Sequence, residues 1–483
     1  MTISIGIDIG TTTICATALD ADSFEVRESF TRPNDSALGG GKGYESIFDP
    51  EKIAGAVADL TGELERRYSC ACIGISNQMH GMVYAGRDGR AVSPFFNWQD
   101  GRGDEWGPGG KTWTAELSEL TGFPMATGYG LTTHFWFLRN GGVPGGAARI
   151  MTIGDYAAGR LCGTAGTPMH VSNAQSLGLF DMAAGRFDPG ALEAAGMAEG
   201  MLPEVSSSFL TVGHTGRGIP VVIPIGDNQA SFLGSVSGMD AILINMGTAS
   251  QISLAVREEA AAALFSRGEE GFGIGGIEQR PLCGGYRLLA GSSLCGGDAY
   301  ALLEKFFREC AVMVTGREIA SAYPGMDRRL ESLEALAAGT SGKPENPLEI
   351  ETTFMGTRKD PSIRGAIRGI GVHNFTPDHL MRGFLAGMAG ELYGLYEKAA
   401  PALPEKPRFF AGAGNGIRKN PALRRVLEGV FGLPLHIPLH REEAAFGAAL
   451  TALTGAGFFP DIREAQKRIR YMQPDSLYTG GRG

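Results

Sequence analysis

Two stretches of this chain, one at its start and one halfway along, share a single design: an apolar β-rich run, a Gly-Thr turn and a second apolar run. The first reads TISIGIDI, Gly10 with Thr11, Thr12 and Thr13, then ICATAL; the second reads AILIN, Met246-Gly247-Thr248, then a run around QISLAV. Apolar runs of this kind mark strands, and the glycine between them marks a chain reversal. Aligned by their turns, the stretches pair Asp8 with Asn245, Gly10 with Gly247 and Thr11 with Thr248. A design that begins twice points to two related halves. The division falls near residue 240, giving an N-terminal domain over 1–238 and a C-terminal domain over 239–483. Length agrees, since 483 residues exceed what one core usually organises. A cleft between the two domains is the expected site.

Further strands are expected at ACIGIS (71–76), IPVVIPIG (219–226) and RFFAGAG (408–414), each ending at a polar or glycine-rich turn. Helical patterns such as AYALLEKFFREC, HLMRGFLAGMAGELYGLYEKAA and PALRRVLEGVF lie between them. Strands alternating with helices make an α/β protein. Lys and Arg number 43 against 52 Asp and Glu, so the net charge is 43 − 52 = −9, with no basic run to offset it. Nucleic acid and anionic membranes are therefore poor partners. The start has neither a basic nor an apolar leader segment, and no apolar run reaches membrane-spanning length, so a cytoplasmic protein is expected. Seven cysteines without a C-x-x-C pair fit reduced thiols.

Chemistry concentrates at the strand ends. Asp8-Ile9-Gly10-Thr11-Thr12-Thr13 sets a carboxylate beside a turn rich in backbone donors and hydroxyls, which suits phosphate and hydrated Mg²⁺; alone, it also serves as an ordinary hairpin turn. Gly247-Thr248 would add matching donors from the second half. Asp227 closes IPVVIPIG and precedes Asn228-Gln229-Ala230, a position that suits either a general base or a helix cap. Gln78-Met79-His80-Gly81, with Trp98-Gln99-Asp100-Gly101-Arg102 soon after, offers the amides, imidazole, indole and charges that a polyol needs. Gly412-Ala413-Gly414-Asn415-Gly416 would admit an adenine ring and its ribose against the backbone, or simply turn a strand into a helix.

Two other patterns are set aside. Gly271-Phe272-Gly273-Ile274-Gly275-Gly276 fits G-x-G-x-x-G but follows no strand, and Pro438 breaks any helix that would align His436 with His440.

In this order the motifs resemble the FGGY carbohydrate kinases, over essentially the whole chain. The resemblance implies two ribonuclease-H-like domains of the actin-like ATPase fold with a cleft between them, and ATP and Mg²⁺ as cofactors. It implies Asp227 as catalytic base, Asp8 and Thr12 in a first phosphate loop, Thr248 in a second, Gly412, Ala413 and Asn415 near adenosine, and Gly296 and Gly297 bordering the nucleotide. On this reading Asp8 and Asp227 hold the metal, while Gln78, Met79, His80, Trp98, Asp100, Asp227 and Asn228 hold the sugar.

The Gln78-to-Gly81 stretch is similar to the ketose kinases of the family. Asn97 to Arg102, ATGYGLTTHFWFLRN (126–140) and TIGDYAAGRLCG resemble sedoheptulokinase more than xylulokinase. The implied reaction takes sedoheptulose to sedoheptulose 7-phosphate. Xylulose or ribulose is the next acceptor, and an ATP-binding actin-like scaffold the remoter alternative. Beyond sugar and ATP, a homodimer is the one further partnership allowed. Many relatives carry Lys or Arg just after the first turn, where this chain has Ile14-Cys15-Ala16; either Lys42 or Arg358 substitutes or phosphate affinity is weaker.

Overall fold

The computed structural model describes residues 2–39, 41–266, 273–337, 346–357, 360 and 362–473. The chain forms two compact units: Met1–Gly238 with Arg280–Leu288 and Glu442–Ile469, and Met239–Gln279 with Leu289–Arg441 and Arg470–Gly483. A single division at 238/239 assigns Arg280–Leu288 and Glu442–Ile469 to the C-terminal domain. Their packing assigns them to the first unit.

In the first unit, β1 (Ile3–Ile9), β2 (Thr13–Asp20) and β3 (Val26–Pro33) form an antiparallel meander. After helix α1 (Pro50–Arg67), strand β4 (Cys70–Asn77) returns parallel to β1. Strands β5 (Thr211–His214), β6 (Pro220–Val222) and β7 (Ile225–Gly226) complete a seven-stranded sheet of order β5-β6-β4-β1-β2-β3, with β7 also paired to β4. The run IPVVIPIG is thus two short strands, because Pro224 cannot donate to the ladder.

The alternation of β1 assigns its faces. Ile3, Ile5, Ile7 and Ile9 are fully buried in one cluster with Ile53, Val57, Leu60 and Leu64 of α1. Ser4, Gly6 and Asp8 belong to the other face. There Ser4 Oγ donates to the Ala449 carbonyl at 2.9 Å, so that face meets the helix Glu443–Gly455, which closes the unit. This approach is backbone to backbone. A Cβ on Gly6 would fall 1.8 Å from the Ala445 carbonyl oxygen, and one on Gly74 1.9 Å from that of Ala448. On the helix itself, a Cβ at Gly447 would fall 1.9 Å from the Ala230 carbonyl oxygen. Glycine at these positions is what lets a segment so late in the sequence join the first unit. Helix α2 (Val171–Leu177) lies between β4 and β5 in sequence, and α3 (Asp227–Ser235) follows β7.

The second unit repeats the plan. Strands β8 (Ile242–Met246) and β9 (Ser250–Arg257) form an antiparallel pair around the second Gly-Thr turn. Strands β10 (Gly273–Ile274), β11 (Ile277–Pro281), β12 (Tyr286–Ser293), β13 (Phe410–Ala413) and β14 (Leu435–His436) give the order β10-β11-β12-β9-β8-β13-β14. The run β12-β9-β8-β13-β14 reproduces β3-β2-β1-β4-β6 of the first sheet, and β13 is parallel to β8 as β4 is to β1. Asp8 and Asn245 each stand one residue before the end of their strand. The helices expected from their patterns are α4 (Gly296–Thr315), α5 (Pro377–Ala399) and, after the short α6 (Gly414–Lys419), α7 (Pro421–Phe431). No described helix is long and apolar enough to cross a membrane, and all seven cysteines are free.

Gly447→Ala should therefore cost far more than helix propensity returns, with a thermal midpoint lowered by many degrees or no folded protein. Gly390→Ala, in the exposed interior of α5 with open space around it, should be neutral or stabilising by up to about 1 kcal/mol. Equal midpoints for the two variants in thermal melts would contradict the close approach.

Candidate active site

Strands β1, β4 and β7 run parallel and end at one edge of the first sheet. Ser76 of β4 is in register with Asp8 on one side and with Ile225 on the other, and Asn77 with Ile9 and Gly226. The chain leaving each strand therefore enters the same region: Gly10 to Thr13 after β1, Gln78 to Gly81 after β4, and Asp227 after β7. The carboxyl ends of parallel strands are where open α/β sheets bind ligands.

Two carboxylates meet there. Ser76 Oγ donates to Asp8 Oδ1 at 2.5 Å. Burial, and then the charge of Asp227, nevertheless push Asp8 up to about 7, with Glu442 adding to the push against the lowering effect of Ser76. Asp227 opens α3, where the helix dipole favours an anion. Burial raises it to about 6, against the pull of the Arg280 guanidinium and of backbone N–H groups. Two buried carboxylates, one raised by the charge of the other, form a natural seat for a divalent cation. No cluster of three His, Cys, Asp or Glu exists among the described residues. A cation held by two carboxylates, water and phosphate oxygens is the habit of Mg²⁺, and the donor set fits it.

The first turn is braced rather than loose. Gly10 N–H donates to the Thr13 carbonyl at 2.9 Å, and Asn34 Nδ2 donates to the Gly10 carbonyl at 2.9 Å. Thr11 Oγ1 donates to Gln78 Oε1 at 3.2 Å and accepts from Trp98 Nε1 at 3.0 Å, which brings Thr11, Gln78 and Trp98 together. Trp98 is 45% exposed, so its indole face is open to a ligand. Thr12 and Thr13 are exposed, and Lys42 lies over the Tyr44 ring, 5.6 Å from its centroid. Arg358 lies outside the described residues.

His80 has φ +75°, a left-handed conformation that costs a non-glycine residue energy and is held by its surroundings. Its N–H donates to Ser176 Oγ at 3.1 Å, and its Nδ1 lies 2.9 Å from the Ser176 carbonyl. A carbonyl only accepts, so Nδ1 carries a proton. The ring stacks on Tyr129 at 4.6 Å and 2°. Helix α2 also fixes the other strand ends. Ser172 Oγ accepts from Gly226 N–H at 3.0 Å, and Asn173 Nδ2 donates to Asn77 Oδ1 at 3.0 Å and to the Pro224 carbonyl at 3.2 Å. No individual role was expected of Ser172, Asn173, Ser176 or Tyr129, although they lie in the stretches (126–140 and P-M-x-x-S-N-A-x-S-L-G-L-F-D) that resemble sedoheptulokinase. Met79 and Asn228 are buried, with Met79 Sδ 3.4 Å from Arg280 Nη1.

Asp100 corrects an expectation. It is fully buried and ion-paired with Arg102 at 2.5 Å, and it also accepts from Ser46 N–H at 3.1 Å. The Arg102 guanidinium is itself buried among Phe96, Trp136, Phe137 and Tyr44. With both oxygens engaged, Asp100 braces the Trp98 loop and is not open to a sugar.

In the second unit the second Gly-Thr turn borders a cavity of about 680 Å³, lined also by Gly297, Gly414, Asn415 and Gly416. Gly297 N–H donates to the Gly247 carbonyl at 2.8 Å, setting the start of α4 against the turn. Gly414 has φ +81°, and a Cβ there would fall 2.5 Å from the Met246 carbonyl oxygen. Gly296, Gly412 and Ala413 do not line the cavity. A Cβ on Gly412 would meet Leu435 and Ile417, one on Gly296 would meet the Ala249–Ser250 backbone, and Ala413 is buried at the strand end. The lining starts one residue after the strand, where the chain turns. Tyr300, Tyr323, Asp298, Asp327 and Lys419 line the cavity as well and were not anticipated. The Tyr300 hydroxyl is buried without a hydrogen-bond partner among the described residues, and its ring lies 6.1 Å from that of Tyr323. Aromatic rings, an unused hydroxyl, a backbone turn and the start of a 20-residue helix fit a nucleotide.

Of the two patterns set aside, Gly271 and Phe272 lie outside the described residues, and Gly273–Ile274 enters a hairpin rather than a helix. His436 lies in β14, stacked on Phe409 at 4.5 Å.

Asp8→Asn should raise stability at pH 8, by a few degrees in thermal midpoint or about 1 kcal/mol. In the folded protein Asp8 is raised from 3.8 to about 7, so the wild type carries its ionisation cost above pH 7 and sheds it as pH falls toward 4. The advantage of the variant should shrink over that window in melts at several pH values. A variant less stable than wild type at pH 8 would contradict the repulsion.

Comparison with known proteins is consistent with this geometry. The model of the FGGY family of carbohydrate kinases, N-terminal domain, matches residues 3–234, and that of the C-terminal domain matches residues 280–456. Sedoheptulokinase of Mus musculus is 26% identical, over 93% of this chain and 97% of its own length. Among solved structures, a xyloylose kinase from Brucella ovis gives a TM-score of 0.78 at 18% identity, covering 99% of this chain and 96% of that one. Plasmodium falciparum glycerol kinase with ADP gives 0.75 at 16% identity, covering 97% and 93%. The fold is the two-domain actin-like ATPase fold of these kinases. With both domain models matched across most of its length, the chain belongs to the FGGY family of carbohydrate kinases.

Proposed function

We propose that the chain transfers the γ-phosphoryl group of ATP to the terminal hydroxyl of a ketose, and that the ketose is sedoheptulose, yielding sedoheptulose 7-phosphate. The observation that carries the reading is the convergence of Asp8, Asp227, Gln78, His80 and Trp98 at one edge of the first sheet. The full-length likeness to sedoheptulokinase supports the choice of sugar.

On this reading Asp227 accepts the proton of the terminal hydroxyl while its oxygen bonds to the γ-phosphorus and the bond to the bridging oxygen breaks, releasing ADP. His80 Nε2 accepts from a sugar hydroxyl, Met79 and Asn228 close the wall beside it, and the Trp98 indole covers the C–H face. Backbone donors at Gly10 to Thr13 stabilise charge on the transferred group, and Gly247 and Thr248 border the nucleotide's cavity in the second unit. The nucleoside occupies the 680 Å³ cavity, with Tyr300 and Asn415 as its polar partners. Mg²⁺ held by Asp8 and Asp227 through water would supply charge neutralisation at the phosphates.

ADP release by the purified protein with Mg-ATP should be stimulated most by sedoheptulose in a panel with D-xylulose, L-ribulose, D-ribulose, glycerol and no sugar. Highest kcat/KM with a pentulose would keep the mechanism and move the substrate. ATP binding without stimulation by any sugar would reject the kinase reading in favour of a scaffold. Asp227→Asn should lower kcat by about three orders of magnitude with the thermal midpoint retained. Because Asp227 must be ionised to accept the proton and burial raises it to about 6 in the free protein, wild-type kcat/KM for the sugar should fall as pH drops through that value. A flat profile from pH 5 to 8 would count against Asp227 as the base.

A further inference from the structure

Arg280 is a buried cation, 7% exposed, on β11. Residues Arg280–Leu288 pack with the first unit although they lie far beyond Gly238 in sequence. The attachment is made at the helix that carries Asp227: Gln229 Nε2, two residues along α3, donates to the Pro281 carbonyl at 3.0 Å. Arg287 Nη2 adds a contact at 3.4 Å to the Met182 carbonyl. Arg280 Nη1 meanwhile lies 3.4 Å from Met79 Sδ, at the turn that presents His80. Met79 in turn fills the space over Gly226, where a Cβ would fall 2.9 Å from Met79 Sδ and 2.6 Å from Gln229 Oε1. Met79 thus lies between Arg280 and Gly226, while Gln229 borders Gly226 and bonds the residue after Arg280. The Arg280 charge acts on Asp227, while Asp227 and Glu442 act on Asp8.

We propose that Arg280 is a positioning residue for the transfer, clamping the Met79–His80 turn to the Gly226–Asp227 turn so that both sides of the acceptor site keep one geometry. The inference rests on the reading of Asp227 as the base. A buried guanidinium suits the task because its planar, fixed donors define directions that an ammonium does not. Misplacing reacting groups by about 1 Å costs on the order of 100-fold in rate, so loosening the clamp should appear in turnover rather than in substrate binding.

The test compares Arg280→Gln and Arg280→Lys with wild type and Asp227→Asn, using whichever panel sugar is turned over fastest, alongside thermal melts and crystal structures. Arg280→Gln should lose about 100-fold in kcat, with KM for sugar and ATP within about threefold and the midpoint retained; Arg280→Lys should recover part of the loss. In crystals of Arg280→Gln, the Met79 side chain and the Asp227 carboxylate should be displaced relative to each other. The proposal is overturned if kcat stays within about threefold of wild type, if the loss lies in sugar KM alone, or if both variants lose rate and midpoint together. Unmoved Met79 and Asp227 in those crystals would overturn it as well. Normal turnover by Asp227→Asn would remove the base reading and this inference with it. An inactive Asp227→Asn beside a fully active Arg280→Gln would remove the inference alone.

Discussion

The contact on which the rest of the first unit depends is the backbone approach of the helix Glu443–Gly455 to β1, β4 and α3. Gly6, Gly74 and Gly447 each face a carbonyl at a distance no side chain would allow. Because β1 and β4 share that helix as a floor, their carboxyl ends are fixed in register, and Asp8 comes to stand beside Ser76. α3 is fixed by the same helix, which sets Asp227 at the same edge. Side chains of the site are then placed by hydrogen bonds from α2, and the glycines beneath them decide how far each element can move.

Such a site is costly to the fold. Two carboxylates whose proton affinity is raised chiefly by burial, a left-handed His80 and a buried guanidinium all oppose stability, and each is held by the contacts around it. The shell is polar where it supports charge, as at Ser76, Ser172, Asn173 and Ser176. It is aromatic where it supports Arg102. That guanidinium stacks against four rings and pairs with Asp100, so the loop carrying Trp98 is rigid at its base while the indole itself stays open.

Much of this was legible in the sequence. The Gly-Thr turns, the repeated plan and the carboxylates at strand ends depend on local periodicity, and local periodicity survives folding. What was misread depends on partners distant in the chain. Asp100 looks available until Ser46 and Arg102 are seen to use both its oxygens. Gly412 and Ala413 precede the cavity because both still belong to strand β13, which ends at Ala413. Arg280 carries no local signal at all: its place is set by Gln229 and Met79, 51 and 201 positions away in sequence. Tyr300, which lines the cavity of the second unit, is likewise unmarked within its helical pattern.

That the first unit is closed by residues 443–455 has a consequence for biosynthesis. Domains usually fold in the order in which they emerge from the ribosome. Here the N-terminal sheet waits for its floor until more than 440 residues have been made, on the order of a minute at ordinary elongation rates. Almost all of the second unit, through Arg441, is synthesised before that helix emerges. During that interval the bare face of β1 and β4, with Gly6 and Gly74 exposed, is a surface for chaperones or for mispairing, and the half of the chain made first is the half completed last.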